Sequence, residues 1–272
     1  MCEVVEGRLE ALEEAQALKE KVLALCERHL GPEHPSVGNA LNMIGALHLE
    51  RGDVEAALAA HERALAIRLA ALGPRHVEVA TSYVNLGLVH YKRGEAGRCV
   101  ELEAAAREIF TAVHGPEHPE VATTLENQAS CELALGDAAG ALARHQAALA
   151  LREEALGGAH PYVGVSWAGV GDALRARGEL DEAAGAYEKA LAILEAAHGA
   201  ESPAVATALG KLALVRGEAG RWDEAVGLLE RAQTIRAGRA LPEDLAAELD
   251  FRLGQALWAV GGGRRARRGR GG

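Results

Sequence analysis

The chain has 272 residues and a mass of 28.5 kDa; 49% of the residues are hydrophobic, only 3% are aromatic, and alanine and leucine dominate, a palette suited to closely packed helices and poor for strands. The formal net charge is −10, and removing the five arginines of residues 261–272, GGGRRARRGRGG, leaves −15 for residues 1–260, a balance that disfavours nucleic acid phosphates and anionic membrane surfaces. No apolar run is long enough to span a bilayer, and MCEVVEGRLE has no basic start followed by an apolar stretch, so neither a membrane span nor a secretory signal is expected and the location is expected to be cytoplasmic.

Taken in chain order, residues 8–30, RLEALEEAQALKEKVLALCERHL, read as one helix. The phrase LGPEHP follows at 30–35 and returns as LGPRHV at 72, HGPEHP at 114, LGGAHP at 156 and HGAESP at 198, a constant 42-residue interval. A glycine stands at the same place after every phrase: Gly52, Gly94, Gly136, Gly178 and Gly220. Three further columns hold only small residues: Gly45, Gly87, Ala129, Gly171, Ala213; Ala57, Cys99, Ala141, Ala183, Ala225; and Ala64, Ala106, Ala148, Ala190, Ala232. A fixed period of this size marks a stack of repeated units.

Between the columns Val37, Leu41, Ile44 and Leu47 recur at helical steps, so each repeat is predicted to hold two antiparallel helices. The first begins at the proline of the phrase, where a missing N–H costs nothing, and stops near the column glycine, which can take the left-handed conformation that ends a helix. The second runs through segments such as DVEAALAAHERALAIRLAAL to the next Gly-Pro. The predicted organisation is a half repeat over 8–30 that supplies only a second helix, five tandem repeats over 31–240, a half repeat over 241–260 that supplies only a first helix, and a disordered Gly/Arg tail over 261–272. Terminal units of a stack need a polar outer face, so the half repeats are either caps or the edges of a fragment.

The order small residue, His or Tyr, Gly, Ala, aromatic or His, Ala is carried by Gly45, His48, Gly52, Ala57, His61 and Ala64, and again by Gly171, Gly178, Ala183, Tyr187 and Ala190. This order resembles the tetratricopeptide repeat (TPR). The 42-residue form with an LGPxHP connector is similar to the repeats of kinesin light chains, of nephrocystin-type proteins and of many bacterial signalling ATPases, over residues 8 to 260. The resemblance implies an all-α fold, a right-handed α-solenoid in which TPR helix pairs form a superhelix and the first helices line a concave groove.

Histidines at a regular interval raise the possibility of catalysis or metal binding. Neighbouring repeats lie on the order of 10 Å apart, whereas two ligands of one zinc ion must come within roughly 4 Å, so His34, His76, His118 and His160 form a ladder and are expected to help cap the helices that follow them or to pack in the connector. His48, His61, His90 and His145 stand where the family carries aromatics and are expected to pack in the core with one polar contact. GxSxG, HExxH, P-loop and GxGxxG motifs are absent, and no enzyme, cofactor or metal site is expected. Cys2, Cys26, Cys99 and Cys131 form no CxxC pair and are expected to be free thiols, with Cys99 and Cys131 buried.

The resemblance points instead to a non-catalytic scaffold or adaptor that binds a protein or peptide segment in the groove. The implied groove residues are Asn39, Thr81 and Thr123 at one level and Asn42, Asn85 and Asn127 about one turn along. Asparagine offers donor and acceptor together and suits the backbone of an extended peptide. The fourth and fifth repeats replace these asparagines with Ala168, Gly169, Gly210 and Lys211, so the ladder covers the first three repeats only. A carboxylate clamp for chaperone C-termini is not expected, because Ala46, Leu88, Ser130, Asp172 and Leu214 do not supply it. The arginine tail lacks aromatic residues for base stacking and is read as solvated, not as a specific nucleic acid site. The alternative is a regulatory or sensor portion of a larger signalling protein.

Overall fold

A computed structural model describes residues 2–238, 247 and 249–260. Among these residues the secondary structure is helical throughout, without a strand. The elements are α1 (Cys2–Leu30), α2 (Pro35–Arg51), α3 (Val54–Leu72), α4 (Val77–Lys92), α5 (Ala96–His114), α6 (Pro119–Ala134), α7 (Ala138–Leu156), α8 (Pro161–Ala176), α9 (Leu180–His198), α10 (Pro203–Glu218) and α11 (Trp222–Gly238), and residues 249–260 are again helical. The helix expected over 8–30 starts earlier, at Cys2. The expected tail over 261–272 lies outside the described residues, as does the first part of the half repeat expected over 241–260.

The chain divides between Leu135 and Gly136 into two compact units. In the first, each helix from α1 to α6 packs on the next, and the first helices also touch in succession, α2 with α4 and α4 with α6. In the second, α7 packs on α8, α8 on α9, α9 on α10 and α10 on α11.

Punctuation sets this order. Glycines with φ between 76° and 93° stand at Gly31, Gly52, Gly73, Gly94, Gly115 and onward to Gly220, evenly spaced at half the repeat interval, so first and second helices alike are followed by a glycine of positive φ. The phrase histidines do what a capping residue does: Nδ1 of His34, His76, His118 and His160 accepts from the backbone N–H two residues on, at 3.2, 3.2, 3.4 and 3.2 Å. In the fifth phrase Ser202 takes over and accepts from Val205 N–H at 3.3 Å.

The small-residue columns are where helices approach most closely. All ten residues of the two columns on the second helices are at most 1% exposed, which leaves no room for a larger side chain. In the glycine column a Cβ on Gly45 would lie 2.6 Å from His61 Nε2, and one on Gly171 would lie 2.7 Å from the Tyr187 ring. Between consecutive pairs an arginine acts as a staple in alternate repeats. Buried Arg68 of α3 donates to Glu78 O, to Ser82 Oγ and to Asn39 Oδ1, and Arg152 of α7 donates to Tyr162 O and Ser166 Oγ of α8. Phe110 and Leu194 fill the same position elsewhere.

One expectation is corrected. Cys99 of α5 and Cys131 of α6 are buried as expected, but they are joined as a disulfide with Cα atoms 6.1 Å apart, whereas Cys26 is free. The spacing rules look for local pairs, and this pair is set by packing: antiparallel α5 and α6 bring the start of one beside the end of the other.

Candidate peptide-binding face

On α2, α4 and α6 three levels repeat at i, i+4 and i+7: Asn39, Thr81 and Thr123; then Met43, Asn85 and Asn127; then Ala46, Leu88 and Ser130. Asn39, Met43, Ala46, Leu88, Thr123 and Ser130 are exposed, and Thr81, Asn85 and Asn127 are half-buried. None of the nine side chains is charged. The hydroxyls of Thr81 and Thr123 donate back to Val77 O and Pro119 O, both at 3.1 Å, so they present their methyl groups and oxygen lone pairs.

The amides are partly committed to the protein. Asn39 Oδ1 accepts from Arg68 at 2.7 Å, Asn85 Nδ2 donates to Asn42 Oδ1 at 2.5 Å, and Asn127 Nδ2 donates to Glu103 Oε1 at 3.1 Å. Asn42 stands one residue out of the repeat register, in which Met43 occupies the level of Asn85 and Asn127; its Oδ1 lies 3.0 Å from His61 Nδ1. Among the described residues no donor reaches Asn85 Oδ1 or Asn127 Oδ1, so each keeps an acceptor for a ligand.

Beneath this face lie two buried polar side chains, His61 and Glu103, each 1% exposed; within the second unit His145 is 5% exposed. Burial first, and then the nearby Arg68 charge, pull His61 down to about 4. Burial pushes the Glu103 carboxyl up to about 8, opposed by the Asn127 hydrogen bond. In the second unit burial pulls His145 down to about 4, against the Asp172 carboxylate. His61 and His145 are thus neutral core residues near neutral pH, as expected, while His48 and His90 are half-buried beside Asp53 and Glu95.

The end of the asparagine ladder also has a cause within the second unit. A Cβ on Gly169 would lie 2.5 Å from His145 Nδ1, so the imidazole occupies the space an asparagine needs. Lys211 is paired with Asp172, which also accepts from Tyr187 Oη at 2.7 Å; burial and that carboxylate push the Tyr187 hydroxyl up. A separate open cleft of about 300 Å³ lies among α3, α4 and α5, lined by Leu65, Leu69, Tyr83, His90 and Leu102, on the side of the second helices.

The tetratricopeptide repeat model matches residues 4–70, 52–98, 78–154, 120–196 and 165–237. With antiparallel helix pairs closed by periodic glycines over the same span, the chain belongs to the tetratricopeptide repeat family. Solved structures agree on the fold. BtubC (BKLC) from P. vanneervenii is 20% identical with a TM-score of 0.69, covering 85% of this chain and 95% of that one. A Podosopora anserina protein assigned to the kinesin light chains, with nearly identical TPR-like repeats, is 24% identical with a TM-score of 0.65, covering 75% and 97%. A Rap protein complexed with Competence and Sporulation Factor is 17% identical with a TM-score of 0.68, covering 91% and 62%. Among curated proteins there is no significant match. No helix among the described residues is long and apolar enough to cross a membrane.

Proposed function

We propose that the protein is a non-catalytic adaptor that holds an extended segment of a partner protein against the face formed by α2, α4 and α6. The observation that carries this reading is the uncharged grid of three levels on three adjacent first helices, where exposed Met43 and Leu88 lie beside the half-buried amides of Asn85 and Asn127. Asn85 Oδ1 and Asn127 Oδ1 accept from backbone N–H groups of the segment, and Met43 and Leu88 meet its apolar side chains. A strand-like ligand rises about 3.3 Å per residue. Successive first helices about 10 Å apart are therefore bridged by roughly three of its residues. TPR proteins in general mediate protein–protein contacts, and membership of that family supports this reading.

A regulatory or sensor role as part of a larger signalling protein is the second reading. It draws on the likeness to the Rap protein, whose own chain is matched over 62% of its length. Both readings use the same face.

The test is to pan a random peptide library against the full chain and measure the selected peptides by fluorescence polarisation. Leu88→Asp is expected to weaken them about tenfold or more, since it sets an unpaired charge against an apolar contact, while Glu108→Ala on exposed α5 surface leaves them unchanged. Asn127→Ala is a poor probe, because it also removes a partner of buried Glu103. Selected peptides that bind Leu88→Asp as tightly as the wild type, or no enrichment at all, overturn the assignment.

A further inference from the structure

The joint between α5 and α6 carries a grouping that peptide binding leaves unused. His114 is the last residue of α5, His118 caps α6, and Glu120 lies in the first turn of α6. The two imidazoles stack with centroids 4.4 Å apart. His114 Nε2 lies 3.4 Å from Glu120 Oε2, and His118 Nδ1 lies 3.3 Å from that same oxygen. One ligating atom from each residue falls within 4.8 Å of the other two.

Zinc takes four ligands in a tetrahedron at about 2.0–2.1 Å from nitrogen and oxygen, which sets ligand atoms about 3.3–3.4 Å apart. Two of the three edges already have that length, and the third is no longer than 4.8 Å. His114 is exposed and the other two are half-buried, so an ion in solution reaches them.

The repeats supply an internal comparison. At the corresponding positions the other phrases hold Leu30, His34 and Ser36; Leu72, His76 and Glu78; Leu156, His160 and Tyr162; and His198, Ser202 and Ala204. Among the described residues only the third phrase brings three ligands together. The distance that separates histidines of neighbouring repeats does not apply here, because both imidazoles come from one joint.

We propose that His114, His118 and Glu120 bind a divalent transition-metal ion of the zinc class, with at least one further position left to water. Two imidazoles and a carboxylate are donors that such ions accept. Ligation through His118 Nδ1 takes the lone pair that now accepts Glu120 N–H. That bond, at 3.4 Å, is the longest of the four histidine caps and so the most readily exchanged. The ion clips the end of α5 to the start of α6.

The test is calorimetric titration of the full, chelator-treated chain with zinc sulfate. The wild type is expected to bind one equivalent and to unfold at a higher temperature once loaded. His114→Ala and Glu120→Gln are expected to weaken that binding by more than about a hundredfold, beyond what loss of an outer-shell partner does. His160→Ala, which removes the matching cap of the fourth phrase, and Cys26→Ser, which removes a free thiol, are expected to bind as the wild type. His118→Asn keeps a capping side chain but removes the imidazole; it is expected to lose zinc while its metal-free unfolding temperature stays close to that of the wild type. One-equivalent binding retained in His114→Ala, or no such binding by the folded wild type, overturns the site.

Discussion

Gly52 and Gly73 both have φ near +80°, yet they make different demands. Gly52, with φ 81° and ψ 8°, sits in the left-handed helical region, where asparagine is tolerated; Gly73, with φ 80° and ψ 165°, sits where a side chain is strongly disfavoured. Gly52→Asn is therefore expected to destabilise by less than about 1 kcal/mol and Gly73→Asn by about 1–3 kcal/mol. Urea unfolding of the two variants checks this, and equal losses would contradict it. At this scale the sequence was most readable for residues whose role is local. The phrase histidines were legible as local residues of the joint, with capping one of two roles open to them, because a cap needs only the next few backbone groups, whereas the partners of Asn42 and Asn127 lie 19 and 24 residues away on other helices.

At the level of elements, Glu103 shows how three helices share one buried group. It rises from α5 to meet Gly87 of α4, whose absent Cβ leaves room for its carboxyl, and it accepts from Asn127 of α6. Its pKa is raised from 4.5 to about 8, so the fold favours the neutral acid. The resulting stability is complete below pH 4.5 and is lost as pH rises toward 8. His61 behaves in the opposite sense: with a pKa lowered to about 4, its contribution is complete above 6.5 and fades as pH falls toward 4. Glu103→Gln keeps the acceptor and removes the titration. It is expected to raise stability over the wild type by about 1–3 kcal/mol at pH 8 and to change little at pH 4.5. An equal gain at both pH values in denaturant unfolding would show that the carboxyl is not held neutral. Column 61, 103, 145, 187 was readable as the place of a packed aromatic or histidine, but no periodicity shows that a carboxylate there is held protonated. The Cys99–Cys131 bond was hidden for a related reason, since it depends on which ends of α5 and α6 meet.

For the molecule as a whole, the fold class was legible because the same columns recur five times and random substitution does not align small residues at so regular an interval. The division at Leu135 was not, because nothing in the third repeat interrupts that interval. The evenly spaced glycine joints have a further consequence: the chain possesses something like a reading frame. Deleting residues 74–115 joins Gly73 to Pro116, restores the phrase LGPEHP, and sets Glu120 and Thr124 in the places of the Glu78 and Ser82 that Arg68 engages. Deleting only residues 74–94 sets a second helix directly after another second helix, with the apolar faces out of phase. The whole-repeat deletion is expected to unfold cooperatively with an m-value reduced in proportion to the lost surface, and the half-repeat deletion is expected to lose cooperativity. Whole repeats are thus the unit in which such a chain gains or loses length, and half of one is a frameshift in three dimensions.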